Sequence, residues 1–410
     1  MSGGPSRRRD EILQAAAKVF AADGYTSTSM REVAAEAGIQ AGSLYHHFAS
    51  KEAIAVELVE AYHADLVRAV RELAIPGGDP VGALRAFARE VAGVSFRHKA
   101  ALQITVFDAP TTASSSLKTI VHGEPPGVDR HWRALISAAV TAGAIDPAVD
   151  RRILRHVLHC TILQASLTDG EVMPGPAAVA DCVTGILLDG IATAPPDLGE
   201  RSVATRVVDR ARARWVAEAA SRGEQRYALL LDEARTLFAQ RGYEATTMRD
   251  IAEAAGITAS NLYRYFESKD SMITEILGEF SGRLLRTFTE VMQAGAPVVE
   301  TLDAILWVLA QTGQLFGREI EILQGFGRLV ALGVADRYQK DAEARQAMLT
   351  GLIEQGVAAG ELRLTATPAL TAWGVREIMW TPMASLMPVS PQRVRDFCRR
   401  TVLSGAARVA

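Results

Sequence analysis

The feature that most constrains this sequence is an internal repeat at a spacing of 218 positions within 410 residues. Two segments, beginning at Gly24 and Gly242, align without a gap over 29 positions, of which 15 are identical. They read GYTSTSMREVAAEAGIQAGSLYHHFASKE and GYEATTMRDIAEAAGITASNLYRYFESKD. The similarity fades downstream of both segments. Because self-similarity marks a duplicated structural unit, the sequence predicts two tandem units, each with a similar head and a divergent body.

Each head is predicted to contain three short helices. Apolar residues recur at helical spacing in the first helix, which ends at Gly24 or Gly242, a residue type that readily follows a helix C-terminus. The second helix begins at Ser29 or Thr247, with an acidic residue three positions later, as in a capping box. A glycine ends it, and the third helix follows after a tight turn. Two short helices joined in this way form a helix-turn-helix motif.

The third helix of each head is predicted to enter the major groove of DNA. Leu44 and Phe48 are spaced to face the core, as are Leu262 and Phe266. The helix then presents its other residues to the groove or its rim: Gln40, Ala41, Gly42, Ser43, His46 and His47 in the first head, and Thr258, Ala259, Ser260, Asn261, Arg264 and Tyr265 in the second. These residues differ between the heads at nearly every position, so we expect two different half-sites and an asymmetric operator.

The repeated string T-x-M-R-[ED]-[VI]-A-x-x-A-G-I-x-x-x-x-L-Y-x-[HY]-F-x-S-K closely resembles the DNA-binding head of the tetracycline repressor family. The resemblance covers residues 9–55 and 227–273, and elsewhere it is only architectural. It implies that Arg31 and Arg249 reach a base edge or a phosphate and that Tyr45 and Tyr263 contact the DNA backbone. It also implies that Lys51 and Lys269, at the start of the next helix, hold a phosphate. Together with the cap residues Ser29 and Thr247, these complete the predicted DNA-binding set.

The resemblance implies a particular architecture for the whole chain. Family members carry one head and one helical-bundle body, which binds a small effector and forms a two-fold dimer through its last two long helices. We therefore expect an all-α chain with two such units, able to form a pseudo-dimer within one polypeptide, or a further homodimer. The predicted segments are a first head (1–52), a first body (53–195), a linker with a basic helix (196–222), a second head (223–270) and a second body (271–410).

Both bodies contain aromatic residues that are candidates to line an effector cavity. Few charges interrupt the apolar stretches, which favours an apolar effector such as a lipid, a steroid, an acyl-type metabolite or an aromatic drug. Ordinary core packing is the alternative for each residue. The candidates are Tyr62, Phe87, Phe96, Phe107 and Trp132 in the first body, and Trp307, Phe316, Phe326, Trp373 and Trp380 in the second.

Net charge argues against DNA binding by bulk electrostatics. The chain carries a net charge of -3, and residues 5–52 hold six basic and six acidic side chains. An alternative function is therefore a helical small-molecule sensor that acts through protein partners, with one or both heads not binding DNA. The main prediction is a regulator of transcription that leaves operator DNA when the effector binds. We expect repression, although the sequence leaves activation open.

Other classes of protein receive little support from the sequence. His156, His159 and Cys160 share a helical face, but no second cluster adds metal ligands, so we expect core packing and no metal. The three cysteines form no C-x-x-C pair. No catalytic or cofactor-binding motif occurs, which predicts neither an enzyme nor a cofactor. The absence of a signal peptide and of long apolar runs predicts a cytoplasmic protein without membrane contact.

Overall fold

The computed structural model describes residues 5–25, 27–72, 78–106, 127–168, 173–194, 202–222, 226–323, 329, 333–384 and 387–408. It divides into two compact units, which we call unit 1 (Met1–Thr184 with Ala407–Ala410) and unit 2 (Gly185–Ala406). All regular structure in the described residues is helical, apart from two isolated bridges. The predicted all-α class is confirmed.

Unit 1 places the first head at the start of a helical bundle. Its helices are α1 (Pro5–Asp23), α2 (Met30–Glu36), α3 (Ala41–Tyr45), α4 (Lys51–Glu72), α5 (Pro80–Arg97), α6 (Lys99–Val106), α7 (Val128–Thr141), α8 (Arg151–Leu167) and α9 (Pro176–Asp189), in which the division between the units falls. Asp79 and Asp150 cap α5 and α8 by accepting hydrogen bonds from backbone N–H groups of the first turn. Helices α5, α7 and α8 pack on one another and bury Phe87 and Trp132.

Unit 2 has the second head near its start, preceded by one long helix. Its helices are α10 (Val203–Arg222), α11 (Arg226–Arg241), α12 (Met248–Ala254), α13 (Ala259–Leu262), α14 (Lys269–Met292), α15 (Val298–Leu315), α16 (Gly317–Leu323), α17 (Asp336–Ala358), α18 (Pro368–Ala384) and α19 (Pro391–Cys398). A π-helical turn, Arg399–Leu403, continues α19.

Helix α10 occupies most of the segment that the sequence analysis interprets as a linker. It packs on α14 and α15, and its apolar residues, including Val208 and Trp215, are buried. The arginines Arg206, Arg210 and Arg212 lie on its exposed face. Helix α10 is thus a packed element of the unit 2 bundle, with these three arginines facing solvent.

A buried ion cluster joins three parts of unit 2. Asp303 of α15 is 1% exposed and accepts hydrogen bonds from the guanidinium groups of Arg395 and Arg399. Arg395 Nη2 also donates to the hydroxyl of Thr205 on α10, at 2.9 Å. Burial raises the pKa of Asp303, but the two arginines outweigh it and hold the pKa below its ordinary value. The cluster therefore links α10, α15 and α19 with its π-helical continuation.

The bundle helices do not have the composition of membrane spans. Within the part of the chain that the structure describes, no helix is both long enough and apolar enough to cross a bilayer.

Candidate nucleic-acid interface

The turn between the second and third helices has the same geometry in both heads. Gly38 has φ +65° and Gly256 has φ +66°, in the left-handed region that favours glycine. The N–H of Ile39 donates to the carbonyl of Ala34 at 2.9 Å, which closes the end of α2. The predicted helix-turn-helix is thus present in each head, and local sequence signals account for it.

Both predicted capping boxes are present. The Glu32 N–H donates to Ser29 Oγ at 3.3 Å, and the Ser29 N–H donates to the Glu32 carboxylate at 2.6 Å. Thr247 and Asp250 make the same reciprocal pair in the second head. Hydrogen bonds from the cap residues lower the pKa of Glu32 and of Asp250. These carboxylates stay ionised near the helix N-terminus, where negative charge is favourable.

Loss of either cap should destabilise its head. We expect Ser29→Ala and Thr247→Ala each to lower the free energy of unfolding by about 1 kcal/mol, because a helix N–H loses its partner. Urea denaturation followed by circular dichroism measures this change. Ser43→Ala is the control, since that exposed hydroxyl lies within α3 and alanine favours helix. A loss in the control equal to that in the cap variants would contradict the assignment.

The third helices are anchored by the predicted apolar residues. Leu44, Phe48, Leu262 and Phe266 are buried. The predicted groove-facing residues mostly point to solvent: Gln40, Gly42, Ser43, His46, Thr258, Ser260, Asn261, Arg264 and Tyr265 are exposed, whereas Ala41, His47 and Ala259 are half-buried. Each head therefore offers a small, polar surface of the kind that fits a major groove.

Arginine and tyrosine side chains flank this surface in both heads. Arg31 and Arg249 are exposed, and neither forms a hydrogen bond or ion pair within the described part of the chain. Tyr45 and Tyr263 are 56% and 55% exposed, which is unusual for large aromatic side chains. The four side chains are available to a ligand outside the protein, and the interface prediction requires this.

The two lysines predicted to hold phosphate are engaged inside the heads. Lys51 Nζ donates to the backbone carbonyls of Tyr25 and Thr28, at 2.7 and 2.6 Å. Lys269 Nζ donates to the carbonyl of Tyr243 at 2.8 Å and lies 4.2 Å from the centre of its ring. Each lysine therefore fastens the loop after the first helix to the start of the fourth. Phosphate binding by these lysines stays a prediction.

The sequence analysis does not identify Arg9 or its equivalent Tyr227, which pack against the end of the third helix in each head. The Arg9 guanidinium lies 4.0 Å from the centre of the Phe48 ring and forms an ion pair with Glu57. Tyr227, at the equivalent position of the second head, stacks on Phe266 and donates its hydroxyl hydrogen to Glu275. Only the phenylalanine and the glutamate recur between the repeats. The recurrence of this phenylalanine and glutamate is visible in the alignment of the two repeats, although Arg9 of the first head is replaced by Tyr227 in the second.

The effector candidates of unit 1 lie in the bundle. Tyr62, Phe87 and Trp132 are buried, Phe96 is half-buried, and Phe107 lies outside the described residues. The ring centres of Phe87 and Trp132 are 4.6 Å apart. His131 also contacts Phe87, with ring centres 4.5 Å apart, and was not among the candidates.

The candidates of unit 2 do not form one group. Phe316 and Trp373 are buried, Trp307 and Trp380 are half-buried, and Phe326 lies outside the described residues. Phe316 packs against Trp215 and Phe280, neither of which was predicted. The Trp307 ring instead lies 4.8 Å from the guanidinium of Arg395, beside the buried ion cluster.

His156 and Cys160, one turn apart on α8, are in weak contact. His156 Nδ1 is 3.7 Å from Cys160 Sγ. No group of three or more histidine, cysteine, aspartate or glutamate residues among those described has the arrangement of a metal site.

Two three-helix heads, each with a polar third helix exposed over a buried apolar anchor, define a helix-turn-helix protein with two DNA-binding heads. The family model described as "Bacterial regulatory proteins, tetR family" matches residues 12–58 and 230–276. The chain belongs to the TetR family of transcription regulators and contains two of its units in tandem.

Several transcription regulators resemble part of this chain. The HTH-type transcriptional repressor KstR2 of Rhodococcus jostii is 33% identical over 161 residues, which are 39% of this chain and 78% of that protein. KstR2 of Mycobacterium tuberculosis is 28% identical over 183 residues, or 44% of this chain and 92% of that protein. A solved structure of the ketosteroid transcriptional regulator KstR2 of Mycobacterium tuberculosis aligns with a TM-score of 0.42 and 26% identity, covering 45% of this chain and 97% of its own.

Proposed function

We propose that this protein is a cytoplasmic repressor whose two unequal heads read an asymmetric operator. This proposal rests mainly on the exposed surfaces of α3 and α13, which have the same backbone framework but present different side chains. Asn261 and Arg264 of the second head match the favoured pairings with adenine and guanine, whereas the first head offers Ser43 and His46. Repression is supported by the relatives that are named repressors.

We propose that the predicted DNA-binding residues form the interface. Their contacts suggest that the arginines and the lysines have different roles. Arg31 and Arg249 are exposed, so they are suited to reach DNA directly. Lys51 and Lys269 donate to backbone carbonyls, so their first contribution is to hold the head in shape. Variants at the arginines therefore test DNA contact more cleanly than variants at the lysines.

An apolar effector bound in a helical bundle is the proposed release signal. The buried ring cluster of Phe87 and Trp132 supports a site in unit 1. Effector and DNA would then weaken each other's binding, typically by 1–3 kcal/mol.

The heads can be tested separately by footprinting on the DNA that flanks the protein's own gene. We expect Arg31→Ala to weaken protection of one half-site by about 10-fold and Arg249→Ala to weaken the other, since each arginine serves one head. Each variant should also reduce the salt slope of binding by about 0.9, the value for one lost phosphate contact. Mass measurement of the complex gives the number of chains bound.

The control is Arg68→Ala, an exposed arginine on α4 that pairs with Asp65 outside the head. It should leave the footprint unchanged. Equal weakening of both half-sites by either arginine variant would contradict two independent readers. If neither variant changes DNA affinity, the alternative of a sensor acting through protein partners, which the balanced charge of the first head favours, replaces the proposal.

A further inference from the structure

Unit 1 contains buried hydrogen-bonding atoms without partners. Trp132 Nε1, His156 Nε2 and His159 Nδ1 are buried and make no hydrogen bond within the described structure. Buried polar atoms in folded proteins are nearly always paired, because they lose their hydrogen bonds to water on folding. These three are among several such atoms in unit 1, and they need a partner from beyond the described residues, such as a bound ligand.

The atoms belong to neighbouring helices of the bundle. Trp132 lies on α7, which packs against α8, where His156 and His159 are one helical turn apart. Asp129, one turn before Trp132, forms an ion pair with Arg155 of α8 at 2.7 Å and so joins the two helices at this level. We call Trp132, His156 and His159 the polar trio.

The surroundings of the trio are largely apolar. Trp132 has no exposed surface and meets the ring of Phe87 edge-on. Tyr62 of α4 is buried, and its hydroxyl hydrogen-bonds with Ser95 of α5. A ligand in contact with the trio would thus bury most of its skeleton against aromatic and aliphatic side chains.

The charge state of the two histidines determines which ligand groups can form hydrogen bonds with them. Burial lowers the pKa of both His156 and His159 to about 4, and the nearby arginines Arg155 and Arg152 act in the same direction. Both rings are therefore neutral at pH 7. A neutral imidazole offers one donor and one acceptor, and an indole offers a donor only. Neutral oxygen groups, such as a ketone or a hydroxyl, match this set.

We propose that the polar trio is a recognition site in unit 1 for a neutral, largely apolar molecule that carries a ketone or hydroxyl oxygen. The inference rests on the proposed function, in which an effector binds in a bundle, and it narrows the effector from a general apolar molecule to an oxygenated neutral one. The indole N–H of Trp132 donates to the ligand oxygen, and the imidazoles complete its hydrogen bonds.

Three probes with one ring system test the proposal on the full chain: naphthalene, 2-acetylnaphthalene and 2-naphthoate. All eight histidines of the sequence lie in unit 1, so a histidine-labelled ¹⁵N spectrum reports on that unit alone. We expect the ketone to bind at least 5-fold more tightly than naphthalene and to shift the resonances of His156 and His159. The anionic naphthoate should bind more weakly than the ketone, because burying a carboxylate costs its hydration and the three polar groups of the trio are neutral.

Trp132→Phe keeps an aromatic ring and removes the N–H group. This variant should lower the ratio of ketone affinity to naphthalene affinity by about 5-fold. Its melting temperature without ligand should fall, because the smaller ring leaves a cavity at a fully buried position. The test is therefore the ratio of ketone affinity to naphthalene affinity, in which a loss of apolar packing common to both probes cancels. Trp215→Phe makes the same change in unit 2 and should leave the histidine shifts and the ketone preference intact.

The proposal is overturned if the ketone fails to bind, if it binds no better than naphthalene, or if Trp132→Phe retains the full preference. Equal binding of ketone and hydrocarbon would mean that water satisfies the trio. Footprinting of the wild-type chain is scored separately. A ketone preference without operator binding would refute the proposed function and keep the ligand site, whereas operator binding without the preference would refute only the ligand site.

Discussion

Replacing Asp303 with alanine should lower the free energy of unfolding of unit 2 by about 3–5 kcal/mol, the usual cost of breaking a buried ion pair. The carboxylate is 1% exposed and balances two arginines, Arg395 and Arg399. Its removal leaves two positive charges close together, and Arg395 is itself buried. Asp303→Asn should cost a similar amount, because the amide keeps the shape of the side chain but cannot neutralise the guanidinium groups.

Tryptophan fluorescence during urea denaturation is the appropriate measurement, since four of the five tryptophans, all except Trp132, lie in unit 2. The matched control is Glu290→Ala, which lies in the same unit. That carboxylate pairs with Arg214 at 3.1 Å, but both side chains are about 40% exposed. Such a surface pair contributes about 0–1 kcal/mol. A loss at Asp303 no larger than the loss at Glu290 would contradict a central role for the buried cluster.

The heads could be predicted from the sequence because their determinants are local. A capping box spans four residues, and the glycine of the turn needs only its own backbone conformation, so Ser29, Thr247, Gly38 and Gly256 are recognisable in isolation. Duplication then reinforced each signal. The buried anchor Leu44 followed from spacing along a single helix.

The side-chain contacts that hold the heads and bundles together were less accessible. Lys51 lies where a phosphate-binding residue is expected, and only the structure shows that it reaches the carbonyls of Tyr25 and Thr28. The partners Asp303 and Arg395 are 92 positions apart, so no local pattern links them. The charges on the exposed face of α10 suggested a solvated linker, because burial of the opposite face depends on helices that follow much later in the chain.

The effector candidates illustrate the same limit. Aromatic residues were selected by type, and type alone does not separate Trp132, which packs with Phe87, from Trp307, which lies beside an arginine. The polar atoms next to Trp132 are more informative, because an unpaired buried group has few explanations. His156 and His159 were assigned to core packing from their helical face, and only their lack of partners points to a ligand.

Acidification should destabilise unit 1 through these same histidines. Their pKa is about 4 in the folded chain and near 6.5 when unfolded, so unfolding takes up protons between these values. The contribution of the neutral histidines to the free energy of unfolding is fully present above pH 6.5 and is lost as the pH falls towards 4. At pH 5 we expect the free energy of unfolding of unit 1 to be lower by about 3 kcal/mol because of His156 and His159 together. This figure allows for the partial exposure of His156. Burial lowers the pKa of His63 and His131 as well, which adds to the effect.

Urea titrations at pH 7.5 and 5.0, followed by histidine resonances, measure the stability of unit 1. The double variant His156→Gln and His159→Gln retains His98 and His131 as probes and should lose most of the pH dependence, whatever its stability at pH 7.5. A wild-type unit 1 that is equally stable at both pH values would show that the imidazoles are protonated or solvated in the folded chain. The polar trio would then lack the neutral rings on which recognition of a ketone depends.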